Sequence, residues 1–184
     1  MVSALDSTQP RGYSAAGRPA ARGKQDARLP QRSSCISERR LGRDTAQAMS
    51  QENVEVVRRI YDAVARRDVV TPFEVYAEDI VWDVSNWRVV AMGLEPVYQG
   101  HEGVRQCWRE YLSVFGEIDF EVEKLIDAGD QVLAVIRDRE VGRASGVPVD
   151  STHLAVWTLA DGKVTQMQIF DDRQQALAAA GLAE

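Results

Sequence analysis

Apolar positions along the chain follow two spacings, and the points where one gives way to the other mark the elements. From Val54 they fall at Val57, Ile60/Tyr61 and Val64, one face of a helix that starts at a Ser50 cap and ends near Arg67. Asp68 and the following Thr-Pro-Phe open a short second helix, with Pro72 acceptable in its first turn. EDIVWDV (Glu78–Val84) is dominated by β-branched and aromatic residues and predicts a strand. An irregular segment runs to Gly100. HEGVRQCWREYLSVFG then returns to helical spacing, with Val104, Trp108, Tyr111 and Phe115 on one side as a core stripe. Four strands follow: IDFEVEKLI, QVLAVIRDRE, VDSTHLAVWTL and KVTQMQIF, with tight turns at Asp127–Asp130 and Asp161-Gly162. DDRQQALAAAGL closes as a short helix capped by Asp171 or Asp172. The series predicts an α+β domain in which a curved antiparallel or mixed sheet wraps over the N-terminal helices and leaves an opening for a small ligand.

Charge divides the chain. Residues 1–48 carry nine Lys/Arg and four Asp/Glu, which leaves 13 basic and 24 acidic residues, a balance of −11, for the rest. An acidic domain disfavours nucleic acid and anionic membranes as partners. No apolar run approaches the roughly 20 residues of a membrane span. Residues 1–48 read as a disordered basic tail without an apolar period, upstream of Met49 as the natural start, so residues 49–184 are expected to form the domain. Cys35 and Cys107 have no neighbours at metal-ligand or redox spacing. A reduced, cytoplasmic setting fits. With no phosphate-binding glycine loop, metal-ligand cluster or Ser/His/Asp arrangement, neither a cofactor nor a metal is expected.

The segments IYDAVARRD, YAEDIVWD, YQGHEGVRQCW, DAGDQVLAV, SGVPVDSTHLAVWTLADGKV and FDDRQQALAAAGL together resemble the SnoaL-like branch of the nuclear transport factor two-like superfamily, over about residues 50–183. The resemblance implies a cone-shaped, cystatin-like α+β barrel with an internal pocket, often a homodimer through the outer face of the sheet. Its members include polyketide cyclases, ketosteroid isomerases, epoxide hydrolases, dehydratases and proteins without known activity, so fold alone does not give function. Carried over by position, the ketosteroid-isomerase tyrosine, base and oxyanion aspartate fall on Ile60, Val84 and near Ala155, each lacking the required group. Of the Asp-Arg-Asp set of limonene-type epoxide hydrolases, two positions become Ile136 and Ile169, and only Asp138 is retained. Those positions imply a pocket lined by Trp82, Val84, Ile136, Asp138, Ala155, Met167 and Ile169. Strand alternation adds His153 and Trp157.

The sharpest candidate chemistry lies in VLAVIRDREVGRASGVPVDSTHLAVW, Val132–Trp157. If this hairpin turns about Ser145-Gly146, paired residues sum to about 291 and Asp138 lies directly across from His153, one of the two histidines of the chain. A carboxylate facing an imidazole orients the ring and prepares it as a general base or acid. Asp83 is a further catalytic candidate if its strand ends in a bulge; otherwise it is an exposed partner of Arg88. Trp87 and Tyr98, in the irregular segment, are expected at the pocket mouth, while Arg137 and Arg139 face outward. Two functions remain open at this point: a cofactor-free isomerase, cyclase or (de)hydratase acting on an apolar ring or acyl compound, and a non-enzymatic ligand-binding or dimerisation module. RDRE as a solvated strand end, and a structural His–Asp contact, are the blander readings of the same residues.

Overall fold

A computed structural model describes residues 34–182. The basic segment up to residue 33 lies outside that range. The first helix, α1 (Ser34–Ala65), is longer than expected. The backbone of residues 34–48, read from sequence as disordered, is helical; the run has no proline, and its three Arg and two Ala, with Glu38, Leu41 and Gln47, are good helix formers. Ser50 therefore sits inside the helix instead of capping it, and its hydroxyl donates to the Asp127 carboxylate on a distant strand. The helix stops where Arg67 enters the left-handed region at φ 58. Asp68 then starts α2 (Thr71–Val75) by accepting the backbone N–H groups of Val70 and Thr71 and the Thr71 hydroxyl. Those bonds, the Thr71 hydroxyl foremost, hold the Asp68 carboxyl down at about 2.

The strands are β1 (Tyr76–Asn86), β2 (Val97–Gln99), β3 (Phe115–Ala128), β4 (Gln131–Gly142), β5 (Pro148–Ala160) and β6 (Lys163–Phe170). The helix α3 (Gly100–Val114) precedes β3, and α4 (Arg173–Ala179), capped by Asp172, ends the fold. Within the segment expected to be irregular lie a 3-10 helix, Arg88–Met92, and the short strand β2, which pairs antiparallel with β1. The six strands form one curved, unclosed sheet in the order β2-β1-β6-β5-β4-β3, antiparallel except between β1 and β6. Asp161 and Gly162, both at positive φ, make the two-residue β5–β6 turn, which suits the right-handed twist of a hairpin. Register shifts within β1 and β3 mark bulges, which bend the strands they interrupt.

The concave face receives Val57 and Ile60 from α1 and Val104, Cys107 and Tyr111 from α3. The convex face is partly covered too, because α4 sets Ala176 and Ala180 against Leu133, Leu154, Val156 and Phe170. This explains why His153 to Trp157 are buried without a break, although their side chains alternate between the faces.

Candidate active site

The β4–β5 hairpin brings the chemistry together. Observed partners sum to 289, so His153 stands across from Ile136 and Asp138 across from Ser151. The turn is centred one residue earlier than the sequence suggested. That moves each partner by two positions and keeps every side chain on its face. Asp138 and His153 thus meet diagonally, with His153 Nδ1 2.5 Å from Asp138 Oδ2. Both are buried, at 0% and 3% exposure. An ionised carboxylate can only accept, so Nδ1 donates in this contact, and in a neutral ring the lone pair then falls on Nε2. Asp138 Oδ1 has no partner.

Two residues along β4, on the same face, Glu140 is equally buried at 1% exposure. It accepts a hydrogen bond from the Tyr111 hydroxyl of α3. Burial pushes its carboxyl above the ordinary range, against the opposing pull of the Arg88 guanidinium. Arg88, first residue of the 3-10 helix, joins the groups: its Nη2 is 3.3 Å from Glu140 Oε2, 3.8 Å from Asp138 Oδ2 and 2.6 Å from Ser151 Oγ. Its Nη1 is 3.2 Å from Asp171 Oδ1, and its backbone N–H also donates to Asp171. The neighbouring Trp87 ring packs between Tyr111 and His153, with centroid distances of 5.0 and 5.2 Å.

His153 forms part of the wall of an internal cavity otherwise lined almost entirely by apolar and aromatic side chains, among them Ile60, Tyr61, Trp82, Trp108, Trp157 and Met167. The space is narrow: about 60 Å³ is open to the centre of a water-sized sphere. At roughly 10–15 Å³ per water on that measure, it holds a handful of waters. Cavity and surface share Val64, Tyr76, Trp108 and Phe120 with a wider depression of about 450 Å³ between the end of α1, α2, α3 and the start of β3. Arg105, stacked over Phe73 at 4.5 Å, stands at this rim. Deeper in, Tyr61 accepts the Trp157 indole N–H at 3.0 Å, and burial drives its phenol far above the usual range. Cys107, also on the wall, is pushed up to about 12 by burial, which disfavours its thiolate at neutral pH.

The residues singled out from sequence divide accordingly. His153, Trp82, Trp87, Ala155, Trp157, Met167 and Ile169 line the cavity, and Asp138 reaches it through His153. Val84 and Ile136 are buried in the surrounding core, off the wall. Asp83 does not reach the cavity: β1 keeps it on the face opposite Trp82 and Val84, where it accepts from Ser85 and, at 3.4 Å, from Gln168. Nor is it the partner of Arg88, which turns to Asp171 and Glu140. Tyr98, expected at the pocket mouth, is buried off the cavity wall, and its hydroxyl donates to Glu110. Sequence reasoning passed over Glu140, Arg88 and Tyr111. Glu140 carried a usable signal, since it lies two residues from Asp138 and must share its face. For Arg88 and Tyr111 only the packing of other elements reveals the role.

Among the described residues, no helix is long and apolar enough to cross a membrane, and no group of three or more His, Cys, Asp or Glu is placed to hold a metal ion. A profile of the SnoaL-like domain matches residues 57–167. Comparison with curated protein sequences finds no match. Solved structures of similar fold include an NTF2-like protein of unknown function from Burkholderia pseudomallei, 20% identical, with a TM-score of 0.60 over 69% of this chain and 95% of that one. TerC, co-crystallised with polyporic acid, is 22% identical with a TM-score of 0.60 over 71% of this chain and 97% of its own. A protein of Jannaschia sp. CCS1 proposed to be a SnoaL-like polyketide cyclase is 22% identical, with a TM-score of 0.55 over 73% and 94%. These structures share the fold, and with the profile spanning more than half of its length the chain belongs to the SnoaL-like domain family.

Proposed function

We propose that the protein is a cofactor-free proton-transfer enzyme, an isomerase, cyclase or (de)hydratase, acting on a small planar ring or acyl compound. His153 Nε2 acts as the base and Asp138 holds the ring in the tautomer that frees it. The observation that carries this reading is the buried His153–Asp138 couple on the wall of an otherwise apolar cavity. Burying such a couple is costly, and a core made only for stability would do as well with apolar residues. The apolar lining of the cavity suits an apolar ligand, and the wider depression that shares part of its wall gives room for the rest of the molecule. The neighbours described as a polyketide cyclase and as a complex with polyporic acid agree with a small-molecule ligand. The reading also includes a homodimer through the outer sheet face and a cytoplasmic location.

The narrowness of the cavity favours a second reading, a module that binds a ligand or a second copy without chemistry. Catalysed solvent-deuterium exchange separates the two. The probes are planar bicyclic ketones, 1-indanone and 2-tetralone, whose α-hydrogens report the proton abstraction such enzymes share. Wild-type protein is expected to accelerate exchange, and the His153→Ala variant is not. Equal rates in the two, together with retention of ligand on native mass spectrometry, would leave the module.

A further inference from the structure

The acids on the concave face of β4 outnumber the cation that serves them. Asp138 and Glu140 are both buried, and among the described residues Arg88 is the only Lys or Arg within ion-pair distance of either. Asp171, the third acid on Arg88, is 37% exposed and solvated. Every other polar group facing the cluster is neutral in its ordinary state: Tyr61 from α1, Tyr111 and Cys107 from α3, Trp87 from the 3-10 helix and Ser151 from β5. Two carboxylates against one guanidinium leave a surplus negative charge in a dry site, and Asp138 Oδ1 has no donor to soften it. One proton closes the balance, and two groups can carry it: His153, next to Asp138, or Glu140.

We propose that His153 and Glu140 share one exchangeable proton across Asp138 and Arg88, so that Glu140 is the positioning acid that sets His153 as a base. With the proton on Glu140, His153 is neutral and its Nε2 lone pair is available. When His153 takes a proton, the substrate's C–H or O–H bond breaks and an N–H bond forms at Nε2. The Glu140 O–H then breaks, releasing its proton to water at the edge where Arg88 is 26% exposed, and the net charge of the cluster is unchanged. The value of this exchange to catalysis rests on the reading of His153 as the base; the exchange itself does not.

The experiment is a pH titration by NMR of the full-length, ¹³C/¹⁵N-labelled protein, reading the Glu140 carboxyl carbon and the His153 ring together. With only two histidines in the chain, His153→Ala assigns the ring signals. The proposal expects each group to show the other's inflection. In Glu140→Gln, which removes a negative charge, the His153 midpoint should fall by about one pH unit, and in Arg88→Met it should rise by about as much. The opposite signs matter, because loosening of the site would move both variants toward a free imidazole, in one direction. Independent inflections in the wild type, or shifts of the same sign or none in the variants, would overturn the proposal. The wild-type titration decides even if a variant fails to fold. Coupled titration without deuterium exchange would remove the enzyme and keep the shared proton; exchange without coupling would do the reverse.

Discussion

Arg137, Asp138, Arg139 and Glu140 are consecutive on one strand, yet the two faces they serve obey different physics. Outward, Arg137 makes a two-pronged contact with Asp150 at 2.8 and 2.7 Å, and Arg139 reaches Glu121 at 2.8 Å and Asp119 at 3.4 Å. All of these groups lie in water, where side-chain entropy and screening cancel most of the attraction. Inward, Asp138 and Glu140 have no exposure to speak of, and their desolvation must be met by Arg88, His153 and Tyr111. The outer face shows what charge does on a sheet when it serves solubility. The inner face shows charge kept at a cost, beside a cavity, and the proposed function rests on it.

The comparison is broken most easily from the inside. Arg88→Met should destabilise the fold by about 3 kcal/mol in urea unfolding at neutral pH, since it leaves two acids uncompensated. Adding Glu140→Gln should restore part of that loss, and an additive double mutant would show the three groups are not one network. His153→Ala should lower the exchange rate of a bound ketone by about 100-fold or more, and should also lower the unfolding midpoint, because it takes the close hydrogen-bond partner from buried Asp138. Tyr61→Phe, which removes the acceptor of the Trp157 indole, should cost about 1 kcal/mol in the same unfolding assay.

The two faces should also respond to pH with opposite signs. Glu140 has a raised folded value, so its contribution to stability is full below the unperturbed 4.5 and is lost as pH rises through the folded value. Asp150, lowered first by its hydrogen bond from Arg137, contributes above its unfolded value and loses that contribution as pH falls through the folded one. Unfolding curves across pH should therefore flatten above about pH 4.5 in Glu140→Gln and on the acid side in Arg137→Ala. At neutral pH the latter should lower the unfolding midpoint only slightly, the smallest effect of the set.

How much of this was legible without coordinates depended on whether local pattern or long-range packing decided it. Strand parity was readable: it placed Asp138, His153, Ala155 and Trp157 on one face, and an error of one residue in the turn centre left that intact because it shifts partners by two. The hairpin loop, closed by Gly142 and Val147, did not reveal its centre in composition alone. Asp83 was read toward the cavity on the chance of a bulge; β1 does change register nearby, but after Asp83, which stays outside. Trp108 and Tyr111 looked like core because helical spacing cannot distinguish a side chain that fills the core from one that lines a hole in it. Arg88 was out of reach, since its partners come from β4, β5 and the loop after β6.

The most direct test of the central claim is the tautomer of the His153 ring, read by long-range ¹H–¹⁵N correlation at a pH where the imidazole is neutral. The account predicts a proton on Nδ1, held by Asp138, with Nε2 unprotonated, and loss of that preference in Asp138→Asn. A ring protonated at Nε2, with its lone pair turned away from the cavity, would contradict it.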